Sequence, residues 1–81
     1  MKYTAAVRIM PLKELLDPQG KAVLGGLQQL GLDAVSSVRV GKQIQLEIEA
    51  KDPAEAESIA TIAAKKLLAN SVMEVFEVSV I

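Results

Sequence analysis

The 81-residue chain sets nine Lys and Arg against ten Asp and Glu, for a formal charge of -1, and contains neither Cys nor His. Near-neutrality supplies no long-range field to draw nucleic acid or an anionic membrane. The two missing residue types exclude disulfides, imidazole or thiolate catalysis and soft metal sites.

A single domain of this size, residues 1–81, buries only about 60–65% of the surface its unfolded chain exposes, so small domains recruit disulfides, metals or oligomerisation. Only oligomerisation remains here. Hydrophobic residues make up 51% of the chain, more than so short a chain can hide, and an apolar face covered by a second copy or a partner is expected. No cationic, apolar and small-residue succession opens the chain and no apolar run reaches about 18 residues. The expectation is a cytoplasmic protein with no signal peptide and no membrane span.

From Lys2 to Met10, Tyr3, Ala5, Val7 and Ile9 alternate with Lys2, Thr4 and Arg8, the period of a half-buried strand. Pro11 ends it, and Leu12 to Leu16 forms a connection of unassigned conformation. Asp17-Pro18 signals a helix start, with the carboxylate as N-cap and Pro at the first helical position. Ala22, Val23, Leu27 and Leu30 recur on one face, and Gly31 stands where a left-handed residue closes a helix. Gly25-Gly26 in its interior costs about 1 kcal/mol each relative to Ala, which implies close backbone packing or fraying.

Between Val38 and Glu49 the apolar residues Val38, Val40, Ile44, Leu46 and Ile48 all fall on even positions. A two-residue turn on Gly41-Lys42 breaks that phase and is rejected. Two readings keep it: one long strand bent at Gly41, which is preferred, or a hairpin with the three-residue loop Gly41 to Gln43. The long strand exceeds what this domain can cover, so part of it is expected to pair with another chain.

Asp52-Pro53-Ala54-Glu55 is a second helix start with a capping box. Ala56, Ile59, Ala60, Ala63 and Leu67 form the apolar stripe of that helix, Lys65 and Lys66 suit its negative end, and Asn70 can close it. Val72 to Ile81 is β-branched and reads as the last strand. The fold class is therefore α+β, with the order β-α-β-α-β, an antiparallel sheet, both helices on one face, and the sheet extended by dimerisation.

Chemistry is scarce. Glu47, Glu49, Glu74 and Glu77 have nothing nearby in sequence to perturb them and read as solvated carboxylates, so no catalytic residue is assigned. Gln19-Gly20-Lys21 opens a helix but lacks the glycine spacing and the Ser/Thr of a phosphate loop. Lys21 is read as a surface or interface residue. Arg39 and Lys42 make a small basic patch beside Gly41, suited to a partner contact. Tyr3 and Phe76 alone do not make a base-stacking platform, so no nucleic-acid partner is expected.

Three phrases remain: Asp17-Pro18-Gln19-Gly20-Lys21-Ala22-Val23, Val38-Arg39-Val40-Gly41-Lys42 and Lys66-Leu67-Leu68-Ala69-Asn70. In this order and at these separations they resemble the PurS family, the small subunit of the multi-subunit phosphoribosylformylglycinamidine (FGAM) synthase of purine biosynthesis. The resemblance implies a ferredoxin-like PurS domain that self-associates as a dimer or tetramer. It further implies a non-catalytic subunit of an ATP- and glutamine-dependent C–N ligase, without a cofactor of its own, that bridges the glutaminase subunit PurQ and the synthetase subunit PurL. Gln19, Lys21, Arg39 and Lys42 are the residues expected at partner interfaces. Two alternatives are an ACT-like regulatory domain that binds a small molecule and oligomerises, and a purely structural homo-oligomer.

Overall fold

The computed structural model describes residues 1–13 and 17–81; of the Leu12 to Leu16 connection, residues 14–16 therefore lie outside the described part. The chain forms β1 (Lys2–Pro11), α1 (Pro18–Gln29), β2 (Lys42–Glu49), α2 (Pro53–Ala63) with a π-helical turn at Ala64–Leu68, and β3 (Glu74–Val80). The expected order of elements is the observed one. β1 lies in the centre of an antiparallel sheet of order β2-β1-β3, pairing Val7 with Ile44 on one side and with Val78 on the other.

The alternation read from the sequence sets the two faces of this sheet. Ala5, Val7 and Ile9 of β1, Ile48 of β2, and the half-buried Ile44, Leu46, Phe76 and Val78 point to one side, where α2 lies across all three strands. α2 meets them with Ala56, Ala60 and Ala64, all fully buried. Among the described residues, six of the nine in the core cluster are alanines, and the large side chains completely buried are Ile9 and Val7. Small side chains let the helix sit close to the sheet, but they remove little apolar surface from water.

Both caps form as the sequence predicts. Asp17 accepts a hydrogen bond from the Gly20 N–H at 3.0 Å, and Asp52 accepts one from Glu55 at 2.8 Å. Glu55 in turn accepts from the Lys51 N–H at 3.1 Å, one residue before the cap. Gly31 closes α1 at φ 84°, with the Leu32 N–H bonded to the Leu27 carbonyl and the Gly31 N–H to that of Gln28. This is the paired-bond closure that favours glycine.

Four expectations are corrected. First, the helices do not share one face: among the described residues α2 alone covers the sheet, and no strand or helix packs along α1. The half-buried line on α1 is Leu24 and Leu27, above the buried Gly20, spaced i, i+4, i+7 on one side of the helix. Of the predicted stripe, Ala22, Val23 and Leu30 are exposed, because among the described residues no strand or helix packs along α1.

Second, Val38 to Glu49 is neither one long strand nor a hairpin. β2 begins at Lys42. Continuing its register would set Val40 against Pro11, which has no N–H to give, and the Val40 N–H is bonded instead to Asp17 at 2.9 Å. Gly41 marks the change of direction, where a Cβ would collide with the Ile9 carbonyl and the Met10 sulfur.

Third, Leu67 is 84% exposed. The Ala69 N–H bonds to the carbonyl of Ala64 at 2.9 Å, a five-residue step that inserts one residue into the turn. It rotates Leu67 outward and brings Ala69 into the core. Fourth, Asn70 builds the turn into β3 rather than closing the helix: its side chain accepts from Val72 and its carbonyl accepts from Met73 and Glu74. β3 consequently starts at Glu74, two residues later than expected.

The outcome is an elongated molecule of 50 × 25 × 14 Å with a radius of gyration of 16.1 Å, against about 12 Å for a compact chain of this length. α1 and the returning segment form an arm.

Candidate functional site

Asp17 joins the first two sequence phrases in space. Its Oδ1 accepts from the Gly20 N–H and its Oδ2 accepts at 2.9 Å from the Val40 N–H, 23 residues further along the chain. Gly20 is buried against the Val38 carbonyl and the Asp17 carboxylate, so closely that a Cβ on Gly20 would collide with both. The Arg39 guanidinium donates to the Pro11 carbonyl, which ties the returning segment to the end of β1. The Leu12 N–H donates to the Met73 carbonyl at 2.9 Å, tying the chain beyond β1 to the turn before β3.

These contacts also set the electrostatics. The N–H groups of Gly20 and then Val40 hold the Asp17 carboxyl below its ordinary value of 3.8, against a smaller opposing effect of burial, and the Arg39 charge assists. Two N–H donors aimed at one carboxylate stabilise its charged form.

Gln19 and Lys21 are exposed on the first turn of α1, and Arg39 is exposed on the segment clamped to it. The clamp therefore brings three of the four expected interface residues together at the joint between the arm and the sheet. Lys42 opens β2 nearby, its Nζ 4.0 Å from Glu74 Oε2 across the central strand. On the sheet face that α2 leaves uncovered, an open depression of about 650 Å³ is lined by Arg8, Met10, Gly41, Gln43, Val75 and Glu77, with Arg8 and Glu77 paired at 3.5 Å.

The four carboxylates of the strands are taken up by ion pairs, and Glu74 also accepts from the Asn70 N–H at 2.8 Å. Glu47 meets Lys2 at 3.8 Å, Glu49 meets the N-terminal ammonium at 3.1 Å, and Glu74 and Glu77 take Lys42 and Arg8. Exposed pairs of this kind contribute little energy and no reactivity. Among the described residues no group of three or more acidic side chains could hold a metal ion, and no helix is long and apolar enough to cross a membrane.

Sequence reasoning singled out Gln19, Lys21 and Arg39 but not the residue that brings them together. Asp17 read as a helix cap, a role that occupies one oxygen. The second oxygen serves a donor in a different phrase, and the only sequence signal of that contact is the pairing of the two phrases themselves.

The comparisons with known proteins agree with this geometry over almost the whole chain. The profile of the PurS family, described as phosphoribosylformylglycinamidine (FGAM) synthase, matches residues 4–81. The PurS subunit of the Synechocystis sp. enzyme is 46% identical over 72 residues, covering 89% of this chain and 72% of that protein. The PurS subunit of Mycobacterium leprae is 46% identical over 70 residues, covering 86% and 85%. A chain of the PurLQS structure from Thermotoga maritima superposes with a TM-score of 0.91 at 30% identity, covering 100% of this chain and 99% of that one. These likenesses leave the ACT-like alternative without support. With the same elements in the same order and its sequence matched nearly end to end, this chain belongs to the PurS family of FGAM synthase subunits.

Proposed function

We propose that this chain is the non-catalytic bridging subunit of an FGAM synthase complex, acting as one unit over residues 1–81 in the cytoplasm. It holds the glutaminase and synthetase subunits in register, so that ammonia released from glutamine is used in the ATP-dependent conversion of formylglycinamide ribonucleotide to formylglycinamidine ribonucleotide. In that reaction ATP phosphorylates the glycinamide carbonyl oxygen, ammonia adds at that carbonyl carbon, and phosphate leaves to give the amidine, with the formyl group unchanged. None of these steps draws on a side chain of this protein; its contribution is geometry. The observation that carries the reading is the end-to-end match to a chain of the Thermotoga maritima PurLQS structure.

The shape supports self-association as part of that role. The chain exposes 5808 Å², whereas a compact monomer of 8.6 kDa exposes about 4,700 Å². The surplus, about 1,100 Å², exceeds the roughly 800 Å² that each partner buries in a standard stable interface. Val23, Leu30 and Leu32 on the arm and Val75 on the uncovered sheet face are among the large apolar side chains left exposed. A second copy, as a dimer or a dimer of dimers that extends the sheet, covers them. Gln19, Lys21, Arg39 and Lys42 then face the two enzymes.

Co-sedimentation of the purified chain with its cognate glutaminase and synthetase tests the reading. A species containing all three is expected, and the chain should sediment alone as a dimer or larger. Separate migration of the three proteins at micromolar concentration contradicts it.

A further inference from the structure

Among the described residues the arm has a single firm attachment. No strand or helix packs along α1, so among the described residues its direction is set where it begins. Three links act there: Asp17 to Gly20, Asp17 to Val40, and Arg39 to the Pro11 carbonyl. The first caps the helix and would do so wherever the helix pointed. The second is of a different kind, because it joins the helix start to a strand lead-in 23 residues away. Gly20 makes room for it by letting the Val38 carbonyl approach where any Cβ would intrude.

We propose that Asp17 is a positioning residue whose second carboxylate oxygen clamps the start of α1 to Val38–Val40, fixing the direction of the arm and presenting Gln19, Lys21 and Arg39 as one rigid docking platform. The docking half of this inference rests on the bridging role proposed above; the clamping half does not. A hydrogen bond between a charged acceptor and a backbone donor is stronger and more directional than a neutral one, which suits a joint that must hold a projecting element without a core beneath it. Preorganisation of this kind strengthens association by removing the ordering cost at the moment of binding.

Asp17→Asn separates the two functions of the side chain. Asn is as good a helix cap as Asp, and its carbonyl oxygen can take the Gly20 N–H, but its NH₂ group cannot accept from Val40. The chain has no cysteine, so spin labels at Gln29→Cys, at the far end of α1, and Lys51→Cys, just past β2, report the direction of the arm. Labelled chain is diluted into unlabelled chain, so that only distances within one molecule are read. With Asp17 the distribution is expected to be narrow. Asp17→Asn should broaden it while leaving far-UV helix content unchanged, and should weaken assembly with the two enzymes by about tenfold or more.

Asp52→Ala, which removes the cap of α2, is the control for cap loss alone and should leave the direction of the arm unchanged. An equally narrow distribution in Asp17→Asn overturns the clamp. A broadened distribution with undiminished assembly overturns the docking platform. Should the unsubstituted chain fail to bind either enzyme, the bridging role and the platform both fall, and the distance measurement still decides the clamp.

Discussion

Gly25→Ala tests the view that α1 stands free of the chain's own sheet. Gly in a helix interior costs about 1 kcal/mol relative to Ala through lost backbone entropy, and a Cβ at Gly25 meets nothing within 4 Å. At 100° per residue, Gly25 lies about 170° around the helix from the centre of the apolar line through Val23, Leu27 and Leu30. The substitution thus adds helix propensity with neither a steric penalty nor a change to the apolar face. The expected gain of about 1 kcal/mol corresponds to a roughly fivefold slowing of amide exchange across α1. Gly31→Ala in the same helix should do the reverse, because Gly31 sits at φ 84° and a Cβ there costs about 1–2 kcal/mol. Hydrogen exchange resolved to single α1 amides reads both, and is the right assay because an arm can fray without unfolding the sheet. Slower exchange in Gly25→Ala with faster exchange in Gly31→Ala is the predicted pair. Faster exchange in Gly25→Ala would refute the reasoning, since it would mean that some surface lies against Gly25 after all.

The thin core makes the sheet sensitive to its few large side chains: Ile9→Ala is expected to cost about 2–5 kcal/mol, a large share of the stability of so small a domain, and a denaturant midpoint that hardly moves would contradict the core assignment. Arg39→Glu removes the tie to Pro11 and reverses one charge of the platform. It should weaken assembly with the two enzymes while the isolated chain keeps its circular dichroism, and unchanged assembly would remove Arg39 from the interface. The Asp17 clamp should also respond to acid. Because its carboxyl is held below 3.8 in the folded chain, its stabilisation is fully present above that value and is lost as pH falls through the lower, folded-state value. The difference between Asp17 and Asp17→Asn chains in arm order should therefore shrink below pH 3.8, and a difference that ignores pH would contradict the charged clamp.

Local patterns in this chain reported local structure faithfully. Alternation in β1 and β2 fixed which residues meet α2, and Asp17, Asp52 and Gly31 marked helix ends through hydrogen bonds that close within three or four residues. What the patterns did not disclose is which surface covers which. An amphipathic helix announces an apolar side, yet nothing in Ala22, Val23, Leu27 and Leu30 says that its own sheet leaves that side bare. The π turn after Ala63 was equally hidden, because a one-residue insertion leaves no mark in composition while turning Leu67 out and Ala69 in. The candidate site divides the same way. Gln19, Lys21, Arg39 and Lys42 were singled out by the phrases that contain them, and their contact with partners stands as a proposal, whereas the Asp17–Val40 bond spans 23 residues and depends on Pro11 being unable to continue the ladder.

The bridging role is tested most directly by glutamine-dependent amidine formation with the purified glutaminase and synthetase, in the presence and absence of this chain, with ammonia-dependent formation followed in parallel. The expected result is that glutamine-supported synthesis requires the chain while ammonia-supported synthesis by the synthetase does not. Equal glutamine-supported rates with and without the chain would contradict a subunit whose contribution is to hold the two active sites together.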